Sequence, residues 1–202
     1  MDITALGGQV LLSADAATFK DLLEDAVSQH IFLEHADFRG RDLRNANLDG
    51  AKLPRACFDG ADLTGANLSE ALLSGASFEN ACLYETCFAE SVLTRSSFCN
   101  ARFAHTDFAY ADLSHCLFEG PNISGVEWAD THTMEGSLFL WDGVPLPMSR
   151  PPKTIRSNRS RLLCLDRHIL VNHRLIDRKE INSLKKLLRL MDRVLSKDQS
   201  IT

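Results

Sequence analysis

The chain has 202 residues, 45% hydrophobic, 24% charged and 7% aromatic, with a net charge of -5. An apolar share of this size excludes general disorder, and no run approaches the roughly 18–20 apolar residues that cross a bilayer. The opening MDITALGGQVLL lacks the basic and long apolar regions of a secretory signal, and the six cysteines (Cys57, Cys82, Cys87, Cys99, Cys116, Cys164) contain no CxxC spacing. They read as reduced thiols of a cytoplasmic protein, with no metal site and no cofactor.

Residues 9–12 (QVLL) predict a short strand. Ser13 and Asp15 are candidate N-caps for an amphipathic helix over 16–29, with Phe19, Leu22, Leu23 and Val27 on one stripe. This helix is expected to cover the first turn of the repetitive region that begins near residue 31.

From Leu33 to Trp128 a large apolar residue falls on every fifth position, twenty times in succession. Two places earlier sits a small residue, alanine at eleven of these positions and Thr86, Ser91, Ser96, Thr106 or Cys116 at others. A period of five fits neither a helix nor a flat strand. It fits a chain that turns a corner every five residues, with one large and one small side chain pointing inward per unit. Four corners close a coil of twenty residues, and the columns support that number. Leu33, Leu53, Leu73, Leu93 and Leu113 form one; Phe38, Phe58, Phe78, Phe98 and Phe118 the next. Leu43, Leu63, Leu83, Phe103 and Ile123 form the third; Leu48, Leu68, Phe88, Phe108 and Trp128 the fourth. Five such coils, stacked at strand spacing, make a rod about 24 Å long.

The units ADFRG, ANLDG, ACFDG, ADLTG, ANLSE and ADLSH resemble the pentapeptide repeat family over residues 31–130. The resemblance implies a right-handed quadrilateral β-helix. The predicted fold is therefore mainly β: five coils of twenty residues, an N-terminal capping helix and a small C-terminal α+β extension. Its segments are 1–30, 31–130 and 131–202. Arg41 stands where a small inward residue is expected, and either opens its coil to solvent or meets Asp37 or Asp42.

After Asp130 the period stops. Asp142-Gly143 between apolar runs predicts a hairpin over 137–148, with Pro145 and Pro147 confining its second arm to an edge. Residues 149–160 read as a polar linker, and 161–173 as two short strands. Asp177 with Glu180 fits a capping box for a helix over 178–196.

The sequence carries no phosphate-binding glycine loop, HExxH or GxSxG pattern. Its histidines fall at corners or in the tail. Cys57, Cys82 and Cys87 fall just before inward positions and read as outward, with no histidine placed to activate them. The chain is therefore read as non-enzymatic.

Charge is unevenly placed. Residues 1–30 carry net -4, 31–130 net -8 and 131–202 net +7. The first column is mixed outside (Glu34, Lys52, Arg55, Arg95, Asp112), as is the third (Arg41, Asp42, Arg44, Asp62, Glu85, Arg102). The fourth carries Asp49, Glu70, Glu90, Asp107, Glu127 and Asp130 and no base; the Phe column carries Asp37, Asp59, Glu79 and Glu119 against Arg39. These two columns are read as neighbouring faces of one acidic surface.

The charge pattern and the resemblance support three readings. In the first, a rigid scaffold presents its acidic column to protein partners. The family resemblance implies a second, in which an acidic rod of DNA-like width acts on DNA gyrase, as in fluoroquinolone resistance. A third places a nucleic-acid contact, or self-association, in the basic tail through Arg156, Arg159, Arg161, Lys179, Lys186, Arg189 and Arg193. No membrane contact is expected.

Overall fold

The computed structural model describes residues 1–120, 123, 126, 128, 130–157, 160–171 and 174–181. The repeat region winds as a coil whose successive turns pair in parallel at a twenty-residue offset. Four ladders result. One runs Phe32, Lys52, Leu72, Val92, Asp112 and another Asp37, Cys57, Ser77, Ser97. The remaining two run Asp42, Asp62, Cys82, Arg102 and Asn47, Asn67, Cys87, Asp107. Pairing is dense enough to form strands only at β3 (Cys82–Tyr84), β4 (Ser97–Cys99), β5 (Arg102–Ala104) and β6 (Leu117–Glu119).

The corners explain the five-residue period. Every fifth residue from His30 to Gly120 has φ between +54° and +111°, the left-handed region. Glycine fills some of these places; the others are His, Asn, Arg, Glu or Tyr, with no β-branched residue among them. β-branched side chains tolerate this backbone least.

Inside, like stacks on like. Phe38, Phe58, Phe78, Phe98 and Phe118 lie ring on ring at 4.9–5.0 Å between centroids, and Phe139 extends the stack at 5.0 Å. The small inward positions do more than save space. Thr86, Ser96 and Cys116 donate to the carbonyls of Leu63, Leu73 and Leu93, tying each coil to its predecessor at 2.9–3.0 Å.

The first coil would expose unpaired backbone edges. β1 (Asp2–Thr4) and β2 (Val10–Ser13) form an antiparallel hairpin, and the Thr4 carbonyl accepts from the Asp37 amide at 2.7 Å. The helix α1 spans Phe19–Ser28. Its N-cap is Thr18, which closes a capping box with Asp21, rather than Ser13 or Asp15. Ser13 lies at the end of β2, so the helix cannot begin there. Leu22, Leu23 and Ala26 join the buried cluster of Leu33 and Phe38. Arg41 meets neither expected carboxylate: its guanidinium lies over the Phe19 ring at 4.1 Å, a cation–π contact at the exposed surface.

Beyond Asp130 the coil pairing continues with one extra residue. Thr133 pairs with Asp112, and β7 (Ser137–Trp141) pairs parallel with β6 at an offset of twenty-one, Phe118 opposite Phe139. Met134 and Phe139 thereby take inward places and are fully buried. β7 turns at Asp142-Gly143 into β8 (Val144–Met148), the edge strand that carries Pro145 and Pro147. Next in the chain is a four-stranded antiparallel sheet: β9 (Lys153–Ser157), β10 (Ser160–Cys164), β11 (His168–Val171) and β12 (Arg174–Asp177). Two elements depart from the sequence expectation. Residues 153–157 pair as a strand instead of lying in a linker, and 174–177 form a fourth strand before a 3-10 turn at Arg178–Glu180. Leu163 and Leu170 of this sheet, with Leu165 in the turn between β10 and β11, belong to the same buried cluster as Phe139, so the sheet packs on the coil. The remainder of the predicted 178–196 helix lies outside the described residues. No helix among the described residues is long and apolar enough to cross a membrane.

Candidate functional site

The two acidic columns are not neighbours. Along the coil, the ladder of Asp37 is followed by that of Asp42, then that of Asn47, then that of Lys52. The Phe column and the fourth column are therefore separated by a mixed face on either side. Counting acids by column concealed this, because order around the coil, not similarity of charge, sets adjacency.

The two columns also differ in how their carboxylates are engaged. On the Phe column, the Arg39 guanidinium grips Asp37 through two nitrogens at 2.6 and 2.8 Å and holds its carboxyl below the usual range. Asp59 accepts from the Ser77 hydroxyl and from the Glu79 amide, and Glu79 accepts from Ser97 at 3.0 Å. These acids are half-buried and bonded to their own ladder. On the fourth column, Asp49, Glu70, Glu90, Asp107 and Asp130 are exposed. Asp107 accepts from the Ala109 amide at 2.8 Å; the other four make no side-chain hydrogen bond or ion pair with a described residue. Glu24 of α1 extends the run at its start, its carboxylate accepting from the Asn47 amide at 2.8 Å. Sequence reasoning missed Glu24, since nothing in the helix shows which coil edge it caps. Glu127 lies outside the described residues.

The mixed third face shows the contrast again. Arg44 grips Asp42 at 2.6 and 2.8 Å, and the paired guanidinium lowers that carboxyl to about 2. Because the value falls below the ordinary 3.8, the pair favours the folded state above that pH and fades as pH drops through about 2. Side-chain NMR titration of Asp42 is expected to give a midpoint near 2, and Arg44→Gln to return it towards 3.8. A midpoint already near the ordinary value would show that the pair does not persist in solution.

Cys57 and Cys82 occupy the outward side yet are buried at 5% exposure, because the coils above and below cover them. Burial pushes the Cys57 thiol up to about 11 and the fully enclosed Cys116 to about 12. Such thiols stay protonated at neutral pH and make poor nucleophiles. Among the described residues no group of His, Cys, Asp and Glu is arranged to hold a metal ion. Of the basic tail, Arg156 pairs in register with Arg161 across β9 and β10, and Lys179 is exposed in the 3-10 turn. Arg159, Lys186, Arg189 and Arg193 lie outside the described residues.

The family described as Pentapeptide repeats matches in eight copies, at residues 33–69, 58–89 and 88–120. A pentapeptide repeat protein from the Arabidopsis thaliana thylakoid lumen is 38% identical over 43% of this chain, with a TM-score of 0.42. The match spans 60% of that protein's length. One from Nostoc PCC 7120 is 21% identical, covering 52% of this chain and 83% of its own, with a TM-score of 0.36. QnrB1, a plasmid-mediated fluoroquinolone resistance protein, is 18% identical, covering 55% of this chain and 63% of its own, with a TM-score of 0.24. No curated protein matches the chain.

Proposed function

The chain belongs to the pentapeptide repeat family through residues 33–120, and we propose that it is a non-enzymatic binding protein, a four-sided rod that offers its fourth face to a basic protein surface. The observation that carries this is the state of the carboxylates. Asp49, Glu70, Glu90 and Asp130 are exposed and unpaired among the described residues, while on the other faces Asp37, Asp42, Asp59, Asp62, Glu79 and Asp112 are held by arginines, hydroxyls or backbone amides, and Glu85 alone of the third face's acids shares the unpaired state. A carboxylate already engaged must break a bond to meet a partner; an unengaged one need not. Residue pairing at each twenty-residue step fixes these charges on a rigid lattice, so little ordering entropy is lost on binding.

The test is titration of a lysine-rich peptide into the full chain. Saturable, salt-weakened binding is expected, and charge reversal on the fourth face is expected to remove it.

A second reading, a DNA mimic acting on gyrase, draws on the linear order of the same carboxylates. The fourth face offers about one charge per 4.8 Å coil step, against one per ~3.4 Å along a single DNA strand. The Phe column lies across the rod, as a second strand would, but its carboxylates are engaged by Arg39, serines and a backbone amide. The spacing favours a protein partner that reads a single line of charge. In a supercoiling assay, inhibition or protection of gyrase by the full chain, lost on reversal of Asp49, Glu70, Glu90 and Asp107 to Lys, would support the mimic instead.

A further inference from the structure

The corner beyond the first ladder has the opposite character to the fourth face. Its positions, twenty residues apart, are His35, Arg55, Gly75, Arg95 and His115, all in left-handed conformation and all exposed. Beside them runs a line of hydroxyls. Thr94 donates to Ser74 at 2.9 Å, and Ser114 to Thr133 at 3.5 Å.

Arg55, Ser74, Gly75, Thr94, Arg95 and His115 together line a groove of about 370 Å³. Among the described residues no carboxylate lines it. Arg55 gives one guanidinium nitrogen to Glu34 at 3.2 Å and keeps its other N–H donors. Arg95 makes no ion pair or side-chain hydrogen bond with a described residue. Gly75 separates the two arginines. A Cβ there would stand 3.3 Å from Cγ of Arg55, so the arginine stem lies across the glycine, and the groove floor stays open because the residue has no side chain.

We propose that this groove binds a phosphoryl group. Two arginines lining one volume suit a ligand with several strong acceptor oxygens. The Ser74 hydroxyl, which accepts from Thr94, keeps its own proton as a further donor at the floor. A carboxylate has two oxygens and satisfies a single fork; a tetrahedral phosphoryl group can engage both arginines and a hydroxyl together. The positive lining rejects a cation, and the polar floor offers an apolar ligand nothing. The first ladder separates this corner from the fourth face, so the two surfaces are tested independently.

Calorimetric titration of the full chain with inorganic phosphate, with chloride as control, tests the assignment. Saturable one-site binding of phosphate is expected. The double substitution Arg55→Gln with Arg95→Gln is expected to weaken it at least tenfold, and Ser74→Ala with Thr94→Val several-fold. Asp49→Asn, on the other face, should leave it unchanged. All four side chains of the two doubles lie at or near the surface, and an unchanged thermal melt certifies the fold. Amide shifts on phosphate addition should centre on residues 74–75, 94–95 and 115. Adenosine monophosphate separates the sources: affinity equal to that of phosphate assigns a free phosphate site, and tighter binding assigns a nucleotide. Absence of saturable binding to either, binding that survives the arginine double substitution, or shifts confined to the C-terminal sheet would overturn the proposal.

Discussion

Phe98→Ala is expected to cost about 3–5 kcal/mol of folding stability, the range for truncating a fully buried phenylalanine. Its ring stacks on Phe78 at 5.0 Å and on Phe118 at 4.9 Å, and meets Phe88 and Phe108 edge-on at 6.3 and 5.7 Å. Each such ring pair adds about 0.5–1.5 kcal/mol beyond area burial. The position matters as much as the chemistry. In a stacked coil each turn touches only its neighbours, so a cavity in the middle weakens two interfaces at once and has no other core to lean on. Neighbouring rings are locked above and below by backbone pairing, so collapse into the cavity is restricted. Urea unfolding followed by circular dichroism measures the loss. A drop in the unfolding slope as well as in the midpoint would mean that the coil has split into two cooperative units. A cost under about 1 kcal/mol would contradict the stacked core.

Reversal of Asp49, Glu70, Glu90 and Asp107 to Lys is expected to weaken lysine-rich peptide binding by at least about fifteenfold. Exposed ion pairs contribute roughly 0.2–1 kcal/mol each, and a reversal replaces each attraction with a repulsion, so four sites sum to at least ~1.6 kcal/mol. All four side chains are exposed and three make no internal hydrogen bond, so the fold should survive. Four reversals of two charges each move the net charge from -5 to +3. A matched control holds that change constant: Asp15, Asp25, Glu85 and Glu135, exposed elsewhere, reversed to Lys. Binding kept in the control and lost in the face variant is the expected pattern. Equal loss in both would assign binding to overall charge and contradict a defined face.

The winding was legible in the sequence because its period is written twice, in the inward Leu and Phe columns and in the small residues two places before them. Where the chain slips by a single residue, legibility stopped. Met134 and Phe139 are five apart and continue the columns, but one residue out of step, so a strict period ends at Asp130 while the pairing goes on. The inward Thr86, Ser96 and Cys116 read as small side chains; that they donate to a carbonyl twenty-three residues back depends on the stacking itself. Arg41 was legible as an anomaly but not as a partner of Phe19, because the helix docks from outside the repeat. The same limit applies to the site. The acids of the fourth column could be counted from sequence, yet which acids are engaged, and that the Phe column lies across the rod, emerge only once the ladders are ordered.

Amide and side-chain shift mapping of the full chain with a lysine-rich peptide decides whether the fourth face is the binding surface. Perturbations are expected to centre on Glu24, Asp49, Glu70, Glu90, Asp107 and Asp130, with the Asp37, Asp59, Glu79 and Glu119 column quiet. Perturbations centred on that second column, or spread evenly over every acid of the chain, would contradict a fourth-face binding surface.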